Sequence, residues 1–242
     1  MIIVGHRGNP FSELENSMAG FRSAIALGIS RIECDIQATQ DNLPIIMHDY
    51  DLGRTCPSNA TISSQKAETL LEIRLNNGER LPSLQDVIQH VCPFIEVNLE
   101  IKPTKKPIVH AILDQVPPIE DRPFQIIFSS FEKSILSELR EKAPAESIAF
   151  LADKDYNLSE VVRDMDTLNC GIFHPHVDLL CEDLTLQARS RDWQIIPFIG
   201  IDQETEHKKD IWQRLIQHKV DGFCTNFPQE YKNWLINEGI IT

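Results

Sequence analysis

The sequence lacks the features that mark several classes of protein. Its six cysteines form no CxxC pair, which excludes a zinc ribbon or a thioredoxin motif, and their density is below that of a disulfide scaffold. No apolar run approaches the roughly 18 residues of a transmembrane helix. Positive charge is also scarce: 23 Lys and Arg stand against 36 Asp and Glu, for a net charge of -13. We therefore expect neither nucleic-acid binding nor stable association with anionic membranes.

The start of the chain and its length further limit the classes of protein to which it can belong. Only residues 1–4 are apolar before His6 and Arg7, so we expect no signal or transit peptide. We expect a cytoplasmic protein with reduced, mostly buried cysteines. A chain of 242 residues buries a sizeable core without a disulfide or metal staple, and its length suits one barrel domain over residues 1–242. The sequence does not distinguish a monomer from a homodimer.

Short β-branched runs alternate with helical patterns along most of the chain. Residues 17–27, for example, place Met18, Phe21 and Ile25 on one helix face and stop at Gly28. Eight runs predict strands, at 2–4, 31–38, 94–101, 124–128, 147–151, 171–173, 194–199 and 222–225. This order predicts a (β/α)8 TIM-like barrel, although an open doubly wound sheet has the same alternation.

A ninth strand pattern, at residues 44–48, interrupts the alternation. The connection 40–42 is too short for a crossover helix, so this run must pair as a hairpin with 31–38. Residues 49–82, which follow, have weak periodicity and many Ser, Thr and Asn. We expect them to form a small loop insertion at the mouth of the barrel.

Three carboxylates are predicted to face inward on neighbouring strands. Because side chains alternate along a strand, Glu33 and Asp35 share one face, and Glu100 shares a face with Lys102 on the next barrel strand. Charges on the inner face of a buried strand are costly unless they are compensated. All-oxygen ligands suit one divalent cation, Mg²⁺ or Ca²⁺. The alternative is a set of internal salt bridges to Arg7, Lys102 and Arg31.

Two histidines close strands at the same end of the barrel. His6 ends the first strand and His48 ends the hairpin strand, so they suit a general acid and a general base, although such histidines can also be structural. Arg7 and Lys102 would bind a phosphate there, or would only neutralise the carboxylates. His174, at the end of the sixth strand, is a further candidate.

These residues occur in motifs that resemble the glycerophosphodiester phosphodiesterase family over essentially the whole chain. In chain order the motifs are His6-Arg7-Gly8, Glu15-Asn16-Ser17, Glu33-x-Asp35, His48-Asp49 and Glu100-x-Lys102. The ending 220–228 is also similar. Three places depart from the family pattern: Leu14 replaces its usual Pro, 198–201 replaces a Trp-Thr-Val-Asn run, and Asn226 replaces Asp.

The resemblance implies a TIM-like barrel that hydrolyses glycerophosphodiesters, such as glycerophosphocholine or glycerophosphoethanolamine, to glycerol 3-phosphate and an alcohol. It implies metal binding by Glu33, Asp35 and Glu100, acid–base catalysis by His6 and His48, and phosphate or substrate contacts by Arg7, Lys102 and Asn16. Phe198 keeps an aromatic side chain where the family has Trp, so we add it and His174 to the candidate substrate contacts. Which histidine is the acid stays open, as does a cyclic phosphate intermediate.

Two other functions are compatible with such a barrel. A lysophospholipase D or sphingomyelinase D-like enzyme needs an apolar or interfacial rim, which the acidic charge and the lack of a basic amphipathic segment disfavour. A catalytically silent barrel that binds a phosphorylated ligand should have lost a metal ligand or a histidine, and this chain retains them all. The expected partner is therefore a small-molecule glycerophosphodiester.

Overall fold

Parallel strands form the wall of the barrel in a computed structural model, which describes residues 1–104 and 107–242. The strands in this part of the chain are β1 Ile2–Gly5, β2 Arg31–Ala38, β3 Pro44–Ile46, β4 Glu96–Ile101, β5 Ile126–Ser130, β6 Ser147–Ala152, β7 Ile172–Pro175, β8 Gln194–Ile195 and β9 Gly222–Thr225. Eight of them lie side by side in the order β8-β7-β6-β5-β4-β2-β1-β9, and β3 pairs with β2 outside this series.

The barrel closes between β8 and β9 through a few backbone contacts. The N–H of Asp221 donates to the Ile195 carbonyl at 3.0 Å, and the N–H of Cys224 donates to the Pro197 carbonyl at 2.9 Å. Phe198 forms a parallel bridge with Cys224. An open doubly wound sheet would leave these two edges apart. The predicted (β/α)8 barrel is therefore confirmed.

The strand ends differ from the prediction by a few residues. The run 194–199 is a regular strand only at Gln194–Ile195, because Pro197 has no N–H to donate towards β9, and pairing resumes at Phe198. The run 124–128 is shifted to Ile126–Ser130. These shifts leave the order of the strands unchanged.

Helices follow the barrel strands and cover their outer face. In the described residues they are α1 Met18–Ala26, α2 Ala67–Leu71, α3 Leu84–His90, α4 Ile108–Leu113, α5 Lys133–Lys142, α6 Leu158–Leu168, α7 Glu182–Ser190, α8 Ile201–Gln217 and α9 Pro228–Asn237. The Ser17 hydroxyl caps α1 by accepting the N–H of Gly20, and Ser83 forms a capping box with Asp86 at the start of α3. Local polar residues therefore define where these two helices begin.

The hairpin and the segment after it form a small apolar cluster of their own. Strand β3 is antiparallel to β2, with Ile36 opposite Ile46, as the short connection predicts. The strand ends at Ile46, so His48 lies in the turn beyond it and not within the strand as expected. The buried cluster consists of Ile45, Met47, Leu52, Cys56, Ile62, Leu70, Leu75 and Leu81. This packing holds segment 49–82 against the barrel.

The strand register brings the inward-facing polar residues to one level of the barrel. Asp35 on β2 lies opposite Glu100 on β4, and Glu100 lies opposite Ser129 on β5. Apolar side chains on the outward faces, such as Phe128, pack with the helices in one continuous core. Strands β2 and β4 are therefore apolar towards the helices and charged on their inner faces.

The six cysteines are free thiols, five of them buried and Cys181 exposed. Among the described residues, no helix has both the length and the apolar character that crossing a membrane requires. The cytoplasmic location and the single-domain interpretation stay predictions.

A tight turn after β1 directs the chain into the site, and Gly8 is the residue it depends on. Gly8 has a φ of +94°, and a Cβ there would lie 2.9 Å from the carbonyl carbon of Gly20 in α1. We expect Gly8→Ala to lower the free energy of unfolding by about 1–3 kcal/mol, because it adds backbone strain and a clash with a helix. Denaturant unfolding would measure this loss.

Gly171→Ala is the control for that change. No heavy atom lies within 4 Å of a Cβ at Gly171, and its φ is not in the left-handed region. The control should unfold like the wild type to within about 0.5 kcal/mol. Equal stability of both variants would contradict the role assigned to the Gly8 turn.

Candidate active site

The candidate site lies at the carboxyl ends of β1, β2 and β4, where their polar side chains surround one cavity. The cavity has a volume of about 170 Å³. Its lining residues are His6, Arg7, Glu33, His48, Asn98, Glu100, Lys102, Phe131, Leu151, His174, Phe198, Ile199, Gly200 and Cys224. One wall is charged, and the other is mostly apolar, formed by Phe131 after β5, Leu151 on β6 and the chain after β8.

The three predicted metal ligands meet beside this cavity. Glu33, Asp35 and Glu100 are all buried, and each offers a carboxylate oxygen within 4.8 Å of the others. Burial raises the pKa of Glu33 well above its usual range, and the charges of Asp35 and Glu100 raise it further. Oε1 of Glu33 has no hydrogen-bond partner in the described part of the chain. A buried all-oxygen set with an unpartnered oxygen fits one hard divalent cation.

Arg7 and Lys102 compensate part of this negative charge. Lys102 Nζ lies 2.7 Å from Asp35 Oδ1 and also donates to Glu100, while Arg7 Nε lies 3.2 Å from Asp35 Oδ2. Burial alone would raise the pKa of Asp35, but these two cations outweigh it and hold that pKa well below the usual range. The alternative of internal salt bridges thus applies to Asp35 and Glu100. Arg31, the third cation considered, pairs with Glu96 instead.

His6 follows β1 and is held on its Nδ1 side. Its Nδ1 lies 2.7 Å from Asn226 Oδ1, and its Nε2 lies 3.8 Å from Glu33 Oε2. Burial, together with the charge of Arg7, lowers the pKa of His6 to about 3. The imidazole is therefore neutral near pH 7 and has a lone pair that can accept a proton.

His48 is held by a carboxylate that is itself anchored. Its Nδ1 lies 2.7 Å from Asp49 Oδ1, and burial lowers the pKa of His48. Arg54, from the insertion, donates to Asp49 Oδ2 at 2.7 Å and to both oxygens of Glu15 at 2.5 and 2.8 Å. Glu15 in turn accepts from Arg7 Nη1 at 2.9 Å. One polar chain therefore joins Arg7 at the site to His48.

The other predicted substrate contacts, Asn16, His174 and Phe198, lie in different parts of the site. Asn16 Nδ2 donates to Asp35 Oδ2 at 2.7 Å, so this amide orders a carboxylate of the acidic cluster. His174 lines the cavity, where burial lowers its pKa to about 3, and its Nε2 has no hydrogen-bond partner among the described residues. Phe198 lines the apolar wall and packs edge-on against Phe131, with 5.6 Å between ring centroids.

The chain also matches a known protein family. A family model described as the glycerophosphoryl diester phosphodiesterase family matches residues 6–230 of this chain. The chain belongs to this family. The membership confirms the resemblance seen in the sequence motifs and the predicted enzyme class, a phosphodiesterase.

Known members of the family are similar over nearly the whole chain. A glycerophosphodiester phosphodiesterase of Caldanaerobacter subterraneus subsp. tengcongensis is 25% identical over 254 residues, covering 98% of each chain. A phosphodiesterase of Oleispira antarctica, solved with the product sn-glycerol-3-phosphate, has a TM-score of 0.85 at 20% identity and covers 98% of this chain and 97% of its own. The Thermotoga maritima glycerophosphodiester phosphodiesterase has a TM-score of 0.76 at 23% identity, with 97% and 98% coverage. These two structures share the barrel fold.

Two charged residues bond to the side chains that contact the histidines, Arg54 to Asp49 and Glu204 to Asn226, and neither is among the candidates predicted from the sequence. Arg54 lies in the insertion, which the sequence predicts only as a polar loop, and its position near Glu15 depends on long-range packing. Glu204 lies in the first turn of α8, where an acidic residue is ordinarily explained by the helix dipole. The sequence offers one indication of Arg54, which is a charged residue within an insertion of otherwise weak periodicity. It offers no local indication of the role of Glu204.

We expect Arg54→Ala to reduce kcat by about tenfold, because Asp49 loses the cation that holds it against His48. Arg54→Lys should recover only part of the loss. It keeps the positive charge, but a lysine cannot bridge two carboxylates in the same planar geometry. Steady-state hydrolysis of glycerophosphocholine would measure both. Arg74→Ala, which removes an exposed arginine of the same insertion bonded to the Gly78 carbonyl, should leave kcat unchanged. Equal kcat in the Arg54 and Arg74 variants would contradict this role.

Proposed function

We propose that this enzyme hydrolyses glycerophosphodiesters, such as glycerophosphocholine or glycerophosphoethanolamine, to glycerol 3-phosphate and an alcohol. The observation that carries the proposal is the convergence of an acidic cluster, two cations and two histidines on one cavity at the barrel mouth. The product complex of the Oleispira antarctica relative supports a small phosphorylated molecule as the partner. A silent barrel would be expected to lack one of these groups.

The acidic cluster of Glu33, Asp35 and Glu100 would hold one Mg²⁺ or Ca²⁺. Such an ion, when bound, neutralises charge on the phosphodiester and polarises its phosphorus–oxygen bonds. Arg7 and Lys102 line the same cavity, so they can contact the phosphate while they compensate Asp35. Their positive charge stabilises the negative charge that grows on the phosphoryl oxygens in the transition state.

His6 and His48 would move the protons of the reaction. One imidazole takes a proton from the attacking oxygen, which is that of water or of a hydroxyl of the substrate, as a new phosphorus–oxygen bond forms. The other, which starts as the protonated imidazolium, gives its proton to the departing alkoxide as the bond to the alcohol breaks and so becomes neutral. Both rings border the cavity and each has its Nδ1 engaged by a neighbouring side chain.

The apolar wall of the cavity would receive the carbon skeleton of the substrate. Phe131, Leu151, Phe198 and Ile199 contribute this wall, and His174 adds an imidazole whose Nε2 can bond a hydroxyl. Burial of carbon against these side chains, with a polar group at one end, would orient the diester relative to the phosphate contacts.

A second candidate substrate class is a lysophospholipid, because exposed aromatic side chains lie on two loops at the mouth. Phe11, in the loop after β1, is 64% exposed, and Tyr50, two residues after His48, is 62% exposed. Such side chains could contact an acyl chain, and relatives named lysophospholipase D match 47% of the chain at 26–27% identity. Release of choline from lysophosphatidylcholine and from glycerophosphocholine, assayed side by side, would decide between the two classes.

We expect His6→Ala and His48→Ala each to lower kcat by at least about 100-fold, since each removes one of the two proton-transfer groups. Turnover of glycerophosphocholine would be measured beside the thermal midpoint of unfolding, which should show that both variants fold. His90→Ala removes an exposed histidine from α3 and should retain wild-type turnover. Wild-type turnover in both site variants would refute the acid–base assignment.

Removal of divalent cations should abolish this activity. We expect dialysis against EDTA to eliminate release of glycerol 3-phosphate and added Mg²⁺ or Ca²⁺ to restore it, because the buried carboxylates repel one another without a cation. Isothermal titration calorimetry should show one binding event in the wild type and at least about tenfold weaker binding for Glu33→Gln. Full activity in EDTA would exclude a metal-dependent mechanism.

A further inference from the structure

Glu204 is a fully buried carboxylate that accepts hydrogen bonds from Thr225 and Asn226, at the end of β9. It belongs to the first turn of α8 and is 0% exposed. The Thr225 hydroxyl donates to Oε1, while the backbone N–H and the side-chain Nδ2 of Asn226 donate to Oε2 at 2.8 and 2.9 Å. A buried carboxylate is costly unless hydrogen-bond donors satisfy its oxygens, and the three donors from Thr225 and Asn226 do so.

The carboxylate of Glu204 determines which way the Asn226 amide faces. Nδ2 of Asn226 has Glu204 Oε2 at 2.9 Å and the Ile199 carbonyl at 3.5 Å, and both of these groups can only accept. A flipped amide would place its oxygen against the carboxylate. The amide oxygen is therefore directed to the opposite side, where it lies 2.7 Å from His6 Nδ1.

This orientation of the amide determines the tautomer of His6. A carbonyl oxygen only accepts hydrogen bonds, so Nδ1 of His6 must carry the proton. In a neutral imidazole the other nitrogen, Nε2, is then unprotonated. Nε2 is the ring nitrogen on the side of the acidic cluster, 3.8 Å from Glu33 Oε2.

We propose that Glu204 is a positioning residue of the active site, which acts through the Asn226 amide to keep His6 protonated at Nδ1 and unprotonated at Nε2. The inference rests on the proton-transfer role proposed for His6. It also gives a physical reason for an amide side chain at Asn226. An aspartate there would place a second carboxylate against Glu204 and could not donate to it.

A purely structural role for Glu204 is the alternative, because its bond to Thr225 also fastens α8 to β9. The two roles differ in what they do to the His6 ring. A structural role affects the stability of the fold, whereas a positioning role affects the protonation pattern of the imidazole and the rate of turnover.

The test is to read the His6 tautomer by nitrogen-15 NMR of the histidine rings in the Mg²⁺-loaded protein, with His6→Ala to assign the signals. The wild type should show a protonated Nδ1. Glu204→Ala and Asn226→Ala should shift His6 towards the Nε2-protonated form, and should lower kcat by about tenfold or more while KM for glycerophosphocholine changes less than about twofold. Glu204→Gln keeps an oxygen that can accept from Asn226, so it should retain the wild-type tautomer and most of kcat.

Glu146→Gln is the matched control, because it also removes a buried carboxylate. Glu146 pairs with Arg122 and does not line the cavity. This variant should lose stability without any change in the His6 tautomer or in kcat. Thermal unfolding of all variants distinguishes a loss of stability from a change in the tautomer of the His6 ring.

The outcomes are distinguishable. A protonated Nδ1 and a kcat within about twofold of wild type in both Glu204→Ala and Asn226→Ala would overturn the inference. A changed tautomer with unchanged kcat would support the positioning of the ring and refute the proposed role of His6 in catalysis. If Glu204→Ala does not fold, Asn226→Ala decides the question, because it leaves the bonds from Thr225 and from the backbone N–H of residue 226 in place.

Discussion

Repulsion among three buried carboxylates is the constraint around which the mouth of this barrel is built. Glu33, Asp35 and Glu100 meet because neighbouring strands bring alternate side chains to the same level. Lys102 and Arg7 offset the charge mainly at Asp35, whereas Glu33 retains an unpartnered oxygen. The compensation is therefore uneven, and the remaining negative charge is what a divalent cation would neutralise. The net charge of -13 says little about this local balance.

Loops and helices outside the strands orient the two histidines, and they do so with different chemistry. His6 contacts the neutral amide of Asn226, while His48 contacts the carboxylate of Asp49. Each of these partners is anchored in turn by a residue from elsewhere in the chain, Glu204 from α8 for one and Arg54 from the insertion for the other. The barrel strands position the carboxylates, and residues of α8 and of the insertion hold the side chains that contact the two histidines.

Much of this arrangement follows from short-range patterns. The alternation of β-branched runs with helical patterns predicted the barrel, and the five-residue link between β2 and β3 is too short for a crossover helix and required a hairpin. The period of two along each strand placed Glu33 with Asp35 and Glu100 with Lys102 on inner faces. Strand ends were less certain, since the limit of β8 depends on Pro197 and on a partner strand distant in sequence.

The sequence by itself determined the order of elements, the inward-facing charges and the family, because these depend on residue spacing and local conformational preference. Tertiary structure alone decided which charges pair. It directed Arg31 to Glu96 and not to the acidic cluster, brought Arg54 to Glu15 across 39 residues, and brought Glu204 to Asn226 across 22. A hydrogen bond between distant residues leaves no periodic trace in a sequence, since its partners meet only when the barrel closes and the insertion packs against it.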